Sequence, residues 1–194
     1  NVAVVGRFAS SHAMAAVGAT TFLINLIINL FMGVSIGANA VISNYIGRRD
    51  RLAARHAVNT TIALSLIGGV LLLIIGLTVA VPLLRMLGTP DDIINDAALY
   101  LRIYFLSAPF FMVYNFGAAI LRSKGDTRTP LYILCVAGLI NVTVSMVTVI
   151  VFHLSVVGVA LATLTANSFS CVVIVVLLHH EKGIFRLQPR HIYI

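Results

Sequence analysis

Charged side chains are scarce in this sequence. Its 194 residues include 13 Lys and Arg but only 6 Asp and Glu, so that 10% of the residues are charged against 60% that are hydrophobic. The mean hydropathy is +1.04. A soluble domain of this length cannot bury so much apolar surface in one core. The composition therefore predicts an integral membrane protein, with the lipid bilayer covering most of its apolar side chains.

Cysteine is also scarce, and it lacks the spacing that metal or redox chemistry needs. Cys135 and Cys171 lie in separate apolar runs without a CxxC pair, so we interpret both as small buried hydrophobic residues. His179, His180 and Glu181 are adjacent in sequence, but neighbouring side chains project about 100° apart on a helix and share a metal poorly. We interpret this group as part of a membrane interface and predict no metal site.

Motifs of the common enzyme classes are missing as well. The sequence holds no Gly-rich phosphate loop, no nucleophile elbow and no paired carboxylates at catalytic spacing. Its basic residues fall in gaps between apolar runs, without the aromatic-laced basic face that is typical of nucleic-acid binding. The sequence therefore favours neither an enzyme nor a nucleic-acid-binding protein.

Long apolar runs are what the sequence has in abundance. Several exceed the roughly 20 residues that a helix needs to cross a bilayer at about 1.5 Å per residue. They predict an all-α membrane protein with the end of a first transmembrane helix and five complete ones, in one transmembrane unit over 1–194. The predicted helices are 1–6, 13–46, 55–84, 92–121, 130–154 and 157–180, and the first of them begins upstream of this sequence.

The stretch from Arg122 to Pro130 predicts a tight turn between two of these helices. Gly125 can supply the positive φ that ends a helix, and Asp126 or Thr127 can cap the next one. Pro130 fits the first turn of that helix, where no backbone N–H is needed. The two flanking apolar runs should therefore form a membrane hairpin.

Basic residues concentrate on one side of the predicted spans. Ten of the 13 Lys and Arg lie in loops 47–56, 122–130 and 179–194, whereas the connection over 88–96 is acidic and contains neither. Lys and Arg beside transmembrane helices mark the side that is not translocated. We therefore predict that these three loops are cytoplasmic and that the protein crosses the inner cell membrane several times.

Polar side chains inside the predicted spans are candidates for function, although Asn, Ser and Thr also join helices through hydrogen bonds. Asn25 and Asn29 lie one turn apart on one face of their helix, so they could line a path together or pack a helix contact. Both alternatives stay open for this pair. The residues that we predict to line a substrate path are Asn25, Asn29, Asn115, Asn141, Ser145, Thr163 and Asn167.

Small residues at four-residue spacing predict two close helix contacts. Gly33 and Gly37 form a GxxxG pair, and Gly158, Ala162 and Ala166 form a second series. Such series let two helix backbones approach closely in a membrane.

Short motifs recur along the whole chain in a recognisable order and spacing. They are Val5-Gly6-Arg7 with Ala15-Ala16-Val17-Gly18, Gly33-Val34-Ser35-Ile36-Gly37, Ile46-Gly47-Arg48-Arg49-Asp50, Tyr100-Leu101-Arg102-Ile103 with Pro109 and Asn115, Leu121 to Pro130, Ile140-Asn141, and Gly158-Val159-Ala160-Leu161-Ala162-Thr163. This series resembles the multidrug and toxic compound extrusion (MATE) transporters, over essentially all of the chain.

The resemblance implies an antiporter of two six-helix lobes that open alternately to either side of the membrane. It would exchange an organic, cationic compound for H⁺ or Na⁺ and need no other cofactor. This chain would supply most of the N-terminal lobe, and its partners would be the small organic substrate, the lipid bilayer and a C-terminal lobe that this chain lacks. Transporter sites lie between such repeats near the midplane of the bilayer.

Two positions depart from the pattern of that family. Its members often carry Asp where this chain has Asn1, and many carry Asp where it has Ser145. Neither substitute can titrate, and no Asp, Glu or Lys lies in the middle of a predicted complete span. We therefore expect that ion coupling, which needs an ionisable carrier within the membrane, depends on the second lobe.

Two other functions stay open. A lipid-linked oligosaccharide flippase of the same superfamily would need a strongly cationic cavity, and the predicted spans hold almost no basic residue at depth. A truncated gene product or an accessory subunit without transport activity would fit the missing start, the missing second lobe and the absent acids.

Overall fold

The computed structural model describes residues 11–86, 94–152 and 155–181. Their regular structure consists of six α-helices. These are α1 (Ser11–Gly47), α2 (Arg51–Met86), α3 (Ile94–Leu106), α4 (Ala108–Ser123), α5 (Arg128–Ile150) and α6 (Ser155–His180). The helix end predicted over 1–6, Asn1, most of the connection 88–96 and nearly all of the loop 179–194 lie outside the described residues.

Three of the six described helices are each long and apolar enough to cross a bilayer. In the described part of the chain, Arg51–Pro82, Arg128–Ile150 and Val156–His180 meet this requirement, and α3 with α4 does so as a fourth span if the bent pair counts as one. Helix α1 has 37 residues, about 55 Å at about 1.5 Å per residue, which exceeds the hydrocarbon core of about 30 Å. The protein is an all-α, multi-pass membrane protein, as the composition predicted.

The helix predicted over 92–121 is divided at Ser107, where α3 and α4 meet at 43°. Pro109 accounts for the break, because it has no N–H to donate within the helix and its ring would clash with the carbonyl four residues earlier. The backbone N–H and the Oγ of Ser107 both donate to the carbonyl of Tyr104, at 3.0 and 2.7 Å. A Cβ added to Gly69 of α2 would lie 2.6 Å from the Cα of Pro109, so α2 packs closely against the bend.

Helix α4 lies at the centre of the described bundle. Its residues from Met112 to Leu121 are all buried, and it packs against α1, α2 and α6. A Cβ added to Gly117 would lie 2.7 Å from Ile174 Cγ1 of α6, so a larger residue here would force Ile174 to move. Lipid tails are as apolar as these side chains, and close packing rather than release of water therefore stabilises the core.

The two predicted small-residue contacts differ in the structure. A Cβ added to Gly158 would lie 2.7 Å from Thr148 Oγ1 of α5, and Ala162 on the same helix is fully buried, so the second series does mediate a close contact. Gly33 and Gly37 are exposed, and nothing lies within 4 Å of a Cβ added to either. The described residues therefore do not make the contact predicted for the GxxxG pair.

Aspartate caps the helix that follows the turn 122–130. Asp126 Oδ1 accepts hydrogen bonds from the N–H groups of Arg128 at 3.1 Å and Thr129 at 3.0 Å, whereas Thr127 makes no side-chain cap bond. Gly125 has φ +93°, as the sequence predicted. Of the two capping residues that the sequence left open, Asp126 is the one that acts.

The other described turn is closed in a similar way. Asp50 Oδ1 accepts from the N–H of Ala53 at 3.0 Å, and Arg49 takes a left-handed φ of 58°. Lys124 Nζ lies 2.7 and 2.8 Å from the two carboxylate oxygens of Glu181. This ion pair joins the turn between α4 and α5 to the end of α6, so both lie at one end of the bundle.

Candidate functional site

The predicted substrate-path residues fall in different parts of the bundle. The structure brings three of them close together and leaves two on the surface. They are the exposed pair Asn25 and Asn29 on α1, the group Asn141, Ser145 and Thr163 between α5 and α6, and the inward amides Asn115 on α4 and Asn167 on α6.

The pair on α1 lies on the surface of the described bundle. Asn29 Nδ2 donates to the backbone carbonyl of Asn25 at 2.8 Å, within the same helix. Gly33 is exposed along the same face, whereas Ser35 on another face is buried. An amide turned toward hydrocarbon is costly, so such a face is expected to meet water or another protein surface.

A polar group joins α5 to α6. Asn141 Nδ2 donates to Thr163 Oγ1 at 3.3 Å, and Thr163 Oγ1 donates to the carbonyl of Val159 at 3.1 Å. Ser145 follows one turn after Asn141 and is fully buried, and its Oγ has no hydrogen-bond partner among the described residues. These side chains offer neutral donors and acceptors, so they can bind a polar ligand but cannot exchange a proton near neutral pH.

Asn115 is placed to hold helices together. It is buried, its Nδ2 donates to the carbonyl of Phe111 at 2.8 Å, and its own carbonyl accepts a hydrogen bond from Ser35 Oγ at 3.0 Å. The Nδ2 bond lies within α4, whereas the bond from Ser35 reaches the backbone carbonyl of Asn115 and crosses the α1–α4 contact. The geometry favours helix packing over a ligand site here.

Asn167 forms a hydrogen bond with Ser107, the residue at the break between α3 and α4. Its Nδ2 donates to Ser107 Oγ at 3.0 Å, and that hydroxyl donates to the Tyr104 carbonyl. Asn167 therefore fixes the bend of a neighbouring helix pair. Sequence reasoning missed Ser107 and also Ser35; the available signals were the position of Ser107 two residues before Pro109 and that of Ser35 within the GxxxG pair.

The described charges lie near the ends of helices and in turns. The hydrogen bond with the Thr129 side chain, assisted by the backbone N–H groups of Thr129 and Arg128, holds the pKa of the Asp126 carboxyl below its usual value. The rings of His179 and His180 have their centroids 6.0 Å apart in an edge-to-face arrangement. Within the described residues no three His, Cys, Asp or Glu side chains are close enough to hold a metal ion together.

Comparison with known proteins assigns this arrangement to a family. The MatE family model matches residues 1–147. The Bacillus subtilis (strain 168) protein named "Probable multidrug resistance protein YoeA" is 31% identical over 182 residues, which are 92% of this chain and 39% of that protein.

Solved structures agree with the sequence match. An outward-facing multidrug resistance MATE family transporter of the MOP superfamily superposes with a TM-score of 0.90 at 25% identity, over 99% of this chain and 43% of that one. A MATE crystal structure in the bent conformation gives a TM-score of 0.89 at 26% identity, over 94% and 41% of the two chains. The chain thus spans about two fifths of the proteins that it matches, which corresponds to the single lobe that the motifs predicted.

The family model covers most of the chain, and the solved structures of MATE transporters reproduce its helix arrangement. The resemblance drawn from the sequence motifs is thereby confirmed, and the chain belongs to the MatE family.

Proposed function

We propose that this chain forms one lobe of a secondary active antiporter, which exports organic cations in exchange for H⁺ or Na⁺. The observation that carries the proposal is that Asn25 and Asn29 on α1 are exposed in the described structure. The chain that presents these amides belongs to the MatE family. Buried packing would hide these amides, whereas a path between two lobes would use them.

The neutral side chains that we propose to line the path suit a substrate that binds weakly enough to be released. Oxygen atoms of Asn and Thr side chains can contact a cation without forming a buried ion pair, so binding need not be tight. The Asn141 and Thr163 side chains, which are joined at 3.3 Å, would support the α5 side of such a path. Transporter sites of this kind lie between two repeats near the midplane.

The coupling ion belongs to the same proposal. Ser145 and the neighbouring Asn141 and Thr163 are neutral, and the MATE resemblance places an Asp at the position of Ser145 in many members. We assign the binding of H⁺ or Na⁺ to the second lobe for that reason, because a carrier of protons must ionise within the membrane.

Reconstituted full-length transporter tests the proposal directly. Liposomes holding the protein should move a cationic dye against its gradient when an H⁺ or Na⁺ gradient is imposed. Asn29→Ala should slow this movement per folded molecule, and Ile74→Ala, at an exposed apolar position of α2, should leave it unchanged. Dye movement that is independent of every ion gradient would contradict the antiport mechanism.

We further propose that the protein lies in the inner cell membrane with the basic loops 47–56, 122–130 and 179–194 in the cytoplasm. The excess of Lys and Arg in these loops supports this orientation. The ion pair between Lys124 and Glu181 supports a common side for the second and third loops.

A protein without transport activity is the second candidate. One observation favours it, since Asn141, Ser145 and Thr163 are neutral and supply no ionisable carrier to the α5–α6 contact. Reading the DNA on both sides of this segment decides the matter: a second set of spans downstream supports the transporter, and an immediate stop codon supports a truncated or accessory protein. A flippase for lipid-linked oligosaccharides ranks lower, because it would need a cationic cavity that these spans do not supply.

A further inference from the structure

A surface groove runs along the last two turns of α1. Its cavity volume is about 390 Å³. The residues that line it are Ala40, Val41, Asn44, Tyr45 and Arg48. They recur at helical spacing, so the groove follows one face of the helix toward the turn that we propose to be cytoplasmic.

The lining changes from apolar to charged along the groove. Ala40 and Val41 are exposed apolar residues, Asn44 and Tyr45 are polar side chains further along, and Arg48 lies at the end of the helix. The eight residue steps from Ala40 to Arg48 cover about 12 Å along the helix axis at about 1.5 Å per residue. That distance and order match the passage from acyl chains through the ester region to the headgroups of a bilayer leaflet.

The charge of Arg48 is available to a ligand. Its backbone N–H closes the last turn on the Asn44 carbonyl at 3.0 Å, and the left-handed Arg49 then turns the chain away. The nearest carboxylate in sequence, Asp50, accepts the N–H of Ala53. The ion pair between Lys124 and Glu181 does not involve Arg48.

We propose that this groove binds an anionic phospholipid of the cytoplasmic leaflet. The lipid phosphate lies against the Arg48 guanidinium, the Asn44 and Tyr45 side chains face the glycerol and ester groups, and an acyl chain follows Ala40 and Val41. Charge complementarity selects an anionic headgroup, since basic residues beside transmembrane helices attract the anionic lipids of that leaflet. The inference rests on the proposed cytoplasmic position of the turn after α1, and it does not depend on antiport.

Quenching by brominated lipids tests the site in the full-length transporter. The chain contains no Trp, so Val41→Trp places a reporter in the groove, and the signal of the parent protein is subtracted. Val136→Trp on α5 is the matched control, because Val136 is 44% exposed against 50% for Val41 and lies eight residues from Arg128, much as Val41 lies seven from Arg48. Both reporters therefore sit at similar depth beside a basic turn.

We expect brominated phosphatidylglycerol to quench Val41→Trp with an apparent affinity about fivefold above that of brominated phosphatidylcholine, the size expected for one basic residue near an anionic leaflet. Val136→Trp should show no comparable preference. Adding Arg48→Gln to the Val41→Trp protein should remove the preference. Inorganic phosphate in the buffer should leave it unchanged, because a free anion cannot replace the acyl contacts.

Several results would overturn the proposal. Equal quenching of Val41→Trp by the two lipids would show that the groove does not select an anionic headgroup. An equal preference for phosphatidylglycerol at both reporters would show that the general surface potential of the protein, and not the groove, attracts the lipid. Failure of either lipid to quench at position 41 would mean that protein covers the groove, and displacement by inorganic phosphate would assign Arg48 to a soluble anion. If Val41→Trp does not fold, Ala40→Trp carries the same reporter in the same groove.

Discussion

Two buried hydroxyls of the α5–α6 contact show how much the surroundings of a single residue matter. Thr163 Oγ1 accepts from Asn141 Nδ2 and donates to the Val159 carbonyl. Ser145 is fully buried, and its Oγ has no partner among the described residues. A satisfied hydroxyl stabilises the contact, and an unsatisfied one costs free energy.

Substitution of these two residues should therefore have opposite effects on stability. Ser145→Ala is expected to leave the thermal stability unchanged or to raise it, because an unsatisfied buried polar group costs about 1–3 kcal/mol. Thr163→Val is expected to lower the free energy of unfolding by about 0.6 kcal/mol, the average for an interhelical hydrogen bond in a membrane. Thermal unfolding of both full-length variants in detergent measures the difference. A loss in Ser145→Ala greater than that in Thr163→Val would mean that Ser145 Oγ has a partner outside the described residues.

The same distinction separates a path-lining amide from a packing amide. Asn29 is exposed and bonded only within its own helix in the described structure, so Asn29→Leu should leave folding intact and reduce efflux per folded molecule. Asn115 is buried at the α1–α4 contact, so Asn115→Leu should first lower stability, by about 1–3 kcal/mol through overpacking. Dye efflux and folded protein have to be quantified separately in full-length transporter. Normal efflux per folded molecule in Asn29→Leu would remove this residue from the site.

At the scale of the element, the N-terminus of α5 depends on one carboxylate. Asp126 accepts two backbone N–H groups of the first turn, and its pKa is lowered, first by the hydrogen bond with Thr129. A carboxyl with a lowered folded-state pKa binds protons more readily when the protein is unfolded. Its contribution to stability is therefore present above the unfolded pKa and is lost as the pH falls through the folded one.

This linkage predicts a pH dependence that belongs to Asp126. Below about pH 3.9, the usual value for Asp, the protein should lose stability as the carboxyl is protonated. Asp126→Asn keeps an acceptor oxygen without the charge and should lack this component, whereas Asp126→Ala should lose about 1 kcal/mol already at neutral pH, as helix caps generally do. Unfolding temperatures measured against pH for the three proteins provide the comparison. An identical acid profile for the parent and Asp126→Asn would contradict the assignment.

The α3–α4 break shows an element that the sequence predicted only in part. The apolar run over 92–121 is long enough for one span. We therefore predicted a single helix there and missed the break. Pro109 was the available signal, because proline inside a helical run breaks or bends it. The partner that fixes the bend, Asn167 on α6, is sixty positions from Ser107, and no local pattern could have paired them.

At the scale of the whole molecule, the proposed orientation depends on which turns lie at the same end of the described bundle. The ion pair of Lys124 with Glu181 places the α4–α5 turn and the end of α6 together. An exposed ion pair is expected to contribute only about 0–1 kcal/mol to stability. This contact is therefore more informative about the topology than about the stability of the protein.

Labelling of single cysteines tests the orientation. In a full-length protein whose Cys135 and Cys171 are replaced by Ala, Arg128→Cys should react with a membrane-impermeant maleimide only after the cells are opened. Asn95→Cys, at the exposed start of α3, should react in intact cells, because the two positions lie at opposite ends of the α3–α4 pair. Labelling in the reverse order would invert the proposed topology, and loops 47–56 and 122–130 would then face outward.

The sequence alone determined that this protein is an all-α membrane protein and that it belongs with the MATE family. These properties depend on composition and on local spacing, because a helix satisfies its own backbone groups and needs only enough apolar residues to cross the bilayer. Only the tertiary structure decided which polar residues meet. It joined Asn141 to Thr163 and Asn167 to Ser107, turned Asn115 inward and left Asn25 and Asn29 exposed. Hydrogen bonds between helices depend on how the helices are rotated and bent against each other, and that arrangement is a property of the packed bundle.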